Sequence, residues 1–87
     1  MFLDEHEIVE DLLLYQMSES AKNALKTTSK LLLENFHSGL TTSIIDYYRL
    51  SASANPYTES NDPTANNHPD MMAWRILLSI WTRLNGK

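Results

Sequence analysis

Between Pro69 and Asn85 the chain places apolar side chains on nearly two full faces of one helix. This segment restricts the fold more than any other. Met71, Trp74, Leu78 and Trp81 recur at spacings of three, four and three, and Ala73, Leu77, Ile80 and Leu84 follow on an adjacent face, with Met72 and Ile76 between. Only Arg75, Ser79, Thr82 and Arg83 remain as a polar strip. A surface helix of a small bundle needs one apolar stripe. A helix with almost two must be enclosed by the rest of the chain or must offer its second face to another molecule. Pro69 suits the first helical position, with His68 or Asn67 before it as cap, and Gly86 stops the helix after Asn85.

The rest of the chain supplies further helices to enclose it. Asp4 and Glu7 have capping-box spacing, and Leu3 and Ile8 flank them as a hydrophobic staple. Ile8, Val9, Leu12, Leu13 and Tyr15 then form one broad face, which predicts a helix over about 4–17. Ser18 or Ser20 offers the next cap, and Ala21, Ala24, Leu25, Thr28, Leu32 and Phe36 repeat at helical spacing with Leu31 beside them. A second helix is predicted over about 20–37, with Gly39 just past its end. The join at Met17–Ser20 holds neither Gly nor Pro, so one long helix is the alternative. Thr41 or Thr42 can cap a short third helix over about 42–50, carrying Ile44, Ile45, Tyr48 and an Asp46–Arg49 pair. Neighbouring positions on a helix diverge by about 100°; Tyr48 is therefore expected in the core and Tyr47 outside it.

Residues 51–68 are polar and aperiodic, with Pro56 and Pro63, and read as a long mobile loop. The expectation is an all-α single domain over residues 1–87, a small bundle of three to four helices with a long polar loop before the C-terminal helix. Helices one and two are expected to form a hairpin.

Composition narrows the function. Hydrophobic residues make up 43% of the 87, enough for one small core. Seven Lys+Arg against eleven Asp+Glu give a formal charge of -4, which argues against general binding of nucleic-acid backbone. The absence of cysteine excludes disulfides, thiolate zinc sites and thiol catalysis. Met1–Glu10 is acidic where a secretory signal is basic, and the Met71–Trp81 run is interrupted by Arg75 and too short for a bilayer. Cytoplasmic location is the default expectation.

The candidate contact residues lie on these faces. Trp74 and Trp81 with Met71 can anchor a partner or a homodimer through the C-terminal helix, since Trp is enriched at binding hot spots. Asp46 and Tyr47 form a second exposed pair suited to protein contact. Lys22, Lys26 and Lys30 make a row along helix two that can meet phosphates, or can be a solvated face balanced by Glu7, Glu10 and Asp11. Glu34 and His37 have the spacing of half a di-iron motif, and no second Glu-x-x-His accompanies them. His6 with Glu10, and His68, are read as surface and cap residues. No nucleophile elbow, phosphate loop or zinc-protease motif occurs. The sequence thus predicts no enzyme, no catalytic residues, no metal and no cofactor. It predicts a non-catalytic protein-binding module, an inhibitor, immunity factor or regulatory adaptor that occludes a partner's surface. The alternatives are a nucleic-acid-associated regulator using the lysine edge, and a structural subunit of a larger assembly.

Overall fold

The computed structural model describes residues 2–33, 37–59 and 67–86. The protein is an all-α bundle, without a strand among the described residues. Helix α1 spans Glu5–Asp11 and continues into a wider π-helical turn, Leu12–Gln16; α2 spans Glu19–Thr27, α3 Lys30–Leu33, α4 His37–Tyr48 and α5 Pro69–Leu84. The capping box forms as expected: the Asp4 carboxylate accepts from Glu7 N at 2.8 Å, and Glu7 accepts from Asp4 N at 3.0 Å. Met17 N reaches back five residues to Leu12 O at 2.9 Å, the bond that defines the π turn. Met17 is extended and Ser18 caps α2, its hydroxyl accepting from Ala21 N, so α1 and α2 are separate helices.

The helix expected over 20–37 is broken. Thr28 adopts an extended backbone. The hydroxyls of Thr27 and Thr28 bond back to carbonyls of the preceding turn, Thr28 to Ala24 O at 2.8 Å. Ser29 then caps α3 by accepting from Leu32 N at 3.2 Å. Hydroxyl side chains offer the backbone local partners that compete with helix continuation, and three in succession end α2 here.

The expected stop at Gly39 is also corrected. Gly39 lies inside α4, and a Cβ there would meet nothing within 4 Å. It does not adopt a positive φ, and one exposed helical glycine costs only about 1 kcal/mol. Helix α4 therefore begins at His37 rather than near residue 42 and ends at Tyr48 rather than at 50. Its end is built by Arg49 at φ 56°, with Leu50 N bonded to Ile45 O at 2.9 Å. That is a Schellman arrangement with arginine where glycine is usual, and Leu50 is carried into the core. The expected Asp46–Arg49 pair does not form, for this turn sets the Arg49 guanidinium over the Phe2 ring, 6.0 Å from its centroid.

The loop expected to be mobile is folded over 51–59. The buried Asn55 side chain donates to Arg49 O and accepts from Tyr57 N, while Thr58 donates to Leu50 O at 2.8 Å. Glu59 N bonds to Asn67 O at 3.0 Å. Residues 60–66 lie outside the described part.

Helix α5 starts on His68, whose Nδ1 accepts from Asp70 N, and has Pro69 in its first turn. It is the centre of the bundle. Met72, Ala73, Ile76, Leu77 and Ile80 are buried with Ile8 and Val9 of α1, Leu25 of α2, Leu33 of α3 and Ile44 and Tyr48 of α4. The expected hairpin of the first two helices is not the main packing: among the described residues α1 and α2 each pack chiefly on α5. The reason lies partly in charge, since Glu5 of α1 bonds Arg75 of α5 at 2.8 Å and Glu10 bonds Arg83.

Candidate functional site: an open apolar cleft

The enclosure of α5 is incomplete on one side. A cleft of about 550 Å³ opens between the π turn, α2 and α4, and Leu77 and Ile80 of α5 lie at its floor. Its origin is in the side chains of α2. Ala21 and Ala24 on one face of α2 and its C-cap Thr28 line the cleft, with Leu25 buried beside them. The first three are short, so α2 cannot fill the gap towards α4. Across it stand Leu40, Ser43, Ile44 and both tyrosines of α4.

The π turn shapes the third wall. An added residue in one turn rotates the downstream side chains by about 100°, bringing Gln16 and Met17 to the cleft. Tyr15, expected on the buried face, is 78% exposed as a result, and Leu14 is exposed beside it.

One polar bond ties the back of the cleft together. The Tyr48 hydroxyl donates to Asp11 Oδ2 at 2.5 Å, linking the end of α1 to α4. Burial, and then the Asp11 carboxylate, push the Tyr48 phenol well above the usual tyrosine range. Tyr48 is in the core, as expected, and Tyr47 is 62% exposed at the cleft edge. The two rings meet edge to face, 4.8 Å apart. Asp46 is exposed. It lies one helical turn beyond Ser43 and does not itself line the cleft.

The other sequence candidates lie elsewhere. Trp74 and Trp81 are half-buried against the core, and Trp81 Nε1 donates to Thr28 O at 2.8 Å, where α2 breaks. Met71 is 46% exposed on the same helix. None of the three lines the cleft, and neither does Asp46; Tyr47 is brought to it and the tryptophan face is not. Lys22 pairs with Glu19 at 3.5 Å, and Lys26 is exposed. The side chains of Lys30, Glu34 and His37 lie outside the described part. The acids expected opposite the lysine row are engaged differently: Glu7 caps α1, Asp11 holds Tyr48, and Glu10 holds Arg83. The hydrogen-bonded Arg83 guanidinium keeps the Glu10 carboxyl below its ordinary value of 4.5.

His6 lies 3.9 Å from Glu10. Among the described residues, no three groups of metal-binding type come together, and no helix is long and apolar enough to cross a membrane. The alanine wall was present in the sequence as small residues within an apolar stripe, but a stripe does not say which of its members face a void. No known protein family, characterised protein or solved structure matches this chain.

Proposed function

We propose that this chain is a non-catalytic protein-binding module, a small inhibitor, immunity factor or regulatory adaptor that acts by covering a surface of its partner. The observation that carries the reading is the open apolar cleft with Tyr47 and Leu40 exposed at its edge. Apolar area left in water forfeits roughly 25 cal/mol for each Å², and a partner that fills the cleft recovers that stabilisation. Tyrosine at the edge suits such a contact, with a ring for apolar burial and a hydroxyl for the wet rim. The mechanism is occlusion: part of the partner's surface enters the cleft and is withdrawn from whatever else it would bind.

A photo-crosslinking residue in place of Tyr47, introduced in the cells that make the protein, tests this. A discrete adduct with one other polypeptide, lost when Ala24→Trp fills the cleft, is the expected result. Absence of any adduct, or adducts indifferent to Ala24→Trp, would refute it.

A further inference from the structure

We infer that the π turn is a register switch carrying the chain's own lid: relaxed to an α-helical register, it swings the Tyr15 ring into the cleft. In the π register the ring is held outside. The lid rests on the protein-binding reading, since it decides whether the cleft is open to a partner.

The geometry follows from counting residues. Leu12–Gln16 form the wide turn that closes on the bond from Met17 N to Leu12 O. An α-helix closes with one residue fewer. Side chains at the far end of the turn therefore stand about 100° behind their α-helical directions, each where an α-helix would put the residue before it. Relaxing the turn moves each one into the place its successor holds now. Gln16 lines the cleft, so Tyr15 passes into the cleft wall and Gln16 passes to the place of Met17. The helical face gives the same answer. Tyr15 is three residues from Leu12, which also lines the cleft, and such pairs share a face in an α-helix.

The exchange sets burial of a ring against a helix cap. In the π register Tyr15 is 78% and Leu14 64% exposed, beside an apolar wall that is itself open to water. In the α register the Tyr15 ring leaves water and covers part of that wall, which is favourable for both. The surplus residue then passes to the junction after Gln16, where Met17 is extended and Ser18 caps α2. The Ser18 cap must be given up or moved, and the exposed Ser20 stands two residues on as a substitute. The change cannot run back into α1, which is held by Glu5 on Arg75, Glu10 on Arg83 and Asp11 on Tyr48. It is taken up between Leu12 and Ser18. Single π turns of this kind inside α-helices are frequent at functional sites.

Two single-residue deletions separate the registers. Each removes the surplus residue and makes the turn α-helical. Deletion of Gln16 puts Tyr15 in the place of Gln16 and closes the lid. Deletion of Leu14 leaves Tyr15 and Gln16 where they are and keeps it open. Nuclear Overhauser contacts from the Tyr15 ring to the methyl groups of Ala21 and Ala24 are expected in the first variant and absent from the second. In the unaltered chain, saturation-transfer spectra should show a minor state at Leu13–Met17 with the chemical shifts of the Gln16 deletion. Exchange at the Ala24 methyl should be lost in Tyr15→Ala. That substitution changes an exposed side chain, so it decides the matter even where a deletion does not fold.

Equal contacts in the two deletions overturn the lid. So does an Ala24 methyl without exchange in the unaltered chain, or exchange that survives Tyr15→Ala. The Tyr47 crosslink should be lost on deletion of Gln16 and kept on deletion of Leu14; crosslinking undiminished in the closed variant also overturns it. If the Ala24 exchange is absent while the crosslink forms, the lid falls and the protein-binding reading stands. If the exchange responds to Tyr15→Ala and no crosslink forms in any variant, the lid stands and that reading falls.

Discussion

Tyr48→Phe isolates the bond at the back of the cleft. The phenyl ring keeps the volume that Tyr48 fills in the core, so no cavity opens, and what is lost is the hydroxyl donated to Asp11 at 2.5 Å. Hydrogen bonds to charged groups contribute about 1.5–3 kcal/mol. Asp11 is only half-buried, so water solvates its carboxylate after the loss, which places the effect at the lower end, about 1.5 kcal/mol. In a domain of this size each kcal/mol shifts Tm by about 4–8 °C, giving a fall of about 6–12 °C.

The pH dependence has a definite sign. The folded phenol titrates above the unfolded value of 10.0, so the contribution is complete below that value and is lost as pH rises towards the folded one. The gap between wild type and Tyr48→Phe should be constant over the neutral range and narrow above about pH 10. Urea unfolding followed by far-UV circular dichroism measures it, with a double-mutant cycle through Asp11→Asn. A change below about 0.5 kcal/mol at unaltered m, an additive cycle, or a gap that does not narrow in alkali would refute the reasoning.

Other perturbations probe the remaining contacts. Ile76→Ala, at the fully buried centre of α5, should cost about 2–5 kcal/mol by urea unfolding, and a loss under about 1 kcal/mol contradicts a central α5. Trp81→Phe removes the donor to Thr28 O and should cost about 0.5–1.5 kcal/mol, with faster amide exchange at Thr28 and Ser29; unchanged exchange there sinks the idea that this bond holds the break. Glu10→Gln tests the α1–α5 pair. Because the Glu10 carboxyl is depressed below 4.5, its stabilisation is present above that value and is lost as pH falls through the lower folded one. Thermal melts from neutral to acid should therefore decline more gently in Glu10→Gln than in wild type, and parallel declines count against the pair.

The parts of the fold written in local chemistry were legible from residues alone. Asp4 with Glu7, and Pro69 after His68, mark helix starts because the groups that cap them are a few residues away. The apolar excess of the last helix was legible for the same reason, since a helix face is a property of one segment. It left enclosure and an outward second face as alternatives, and α5 is enclosed at the centre. Partner choice between segments was not legible. In place of the hairpin, α1 packs on α5, and its Glu5 and Glu10 pair with arginines about seventy residues distant.

Gly39 misled because a glycine can end a helix or be tolerated within one, and its neighbours downstream decide between the two. The π turn misled about Tyr15 because a 3.6-residue period assumes the turn it is used to find. Of the cleft, Tyr47 and its outward direction came from the hundred-degree step between neighbours. The void opposite the alanines did not, since it exists only once α2, α4 and α5 are placed together.

The central position of α5 also governs when this chain can fold. Helices α1, α2 and α4 all find their burial against residues 69–84, so none of them has a core to join until that segment has been made. At synthesis rates of about 5–20 residues per second, the stretch from Asp11 to Leu84 keeps α1 waiting for roughly 4–15 seconds, and α2 and α4 wait for progressively shorter times. During that interval Ile8, Val9, Leu25 and Ile44 face solvent or a chaperone, on helices too short to be stable alone in water. Assembly then becomes one late event in which the last helix gathers the others around it. A nascent chain halted before Pro69 should accordingly be protease-sensitive along its whole length, with no stable subdomain to protect.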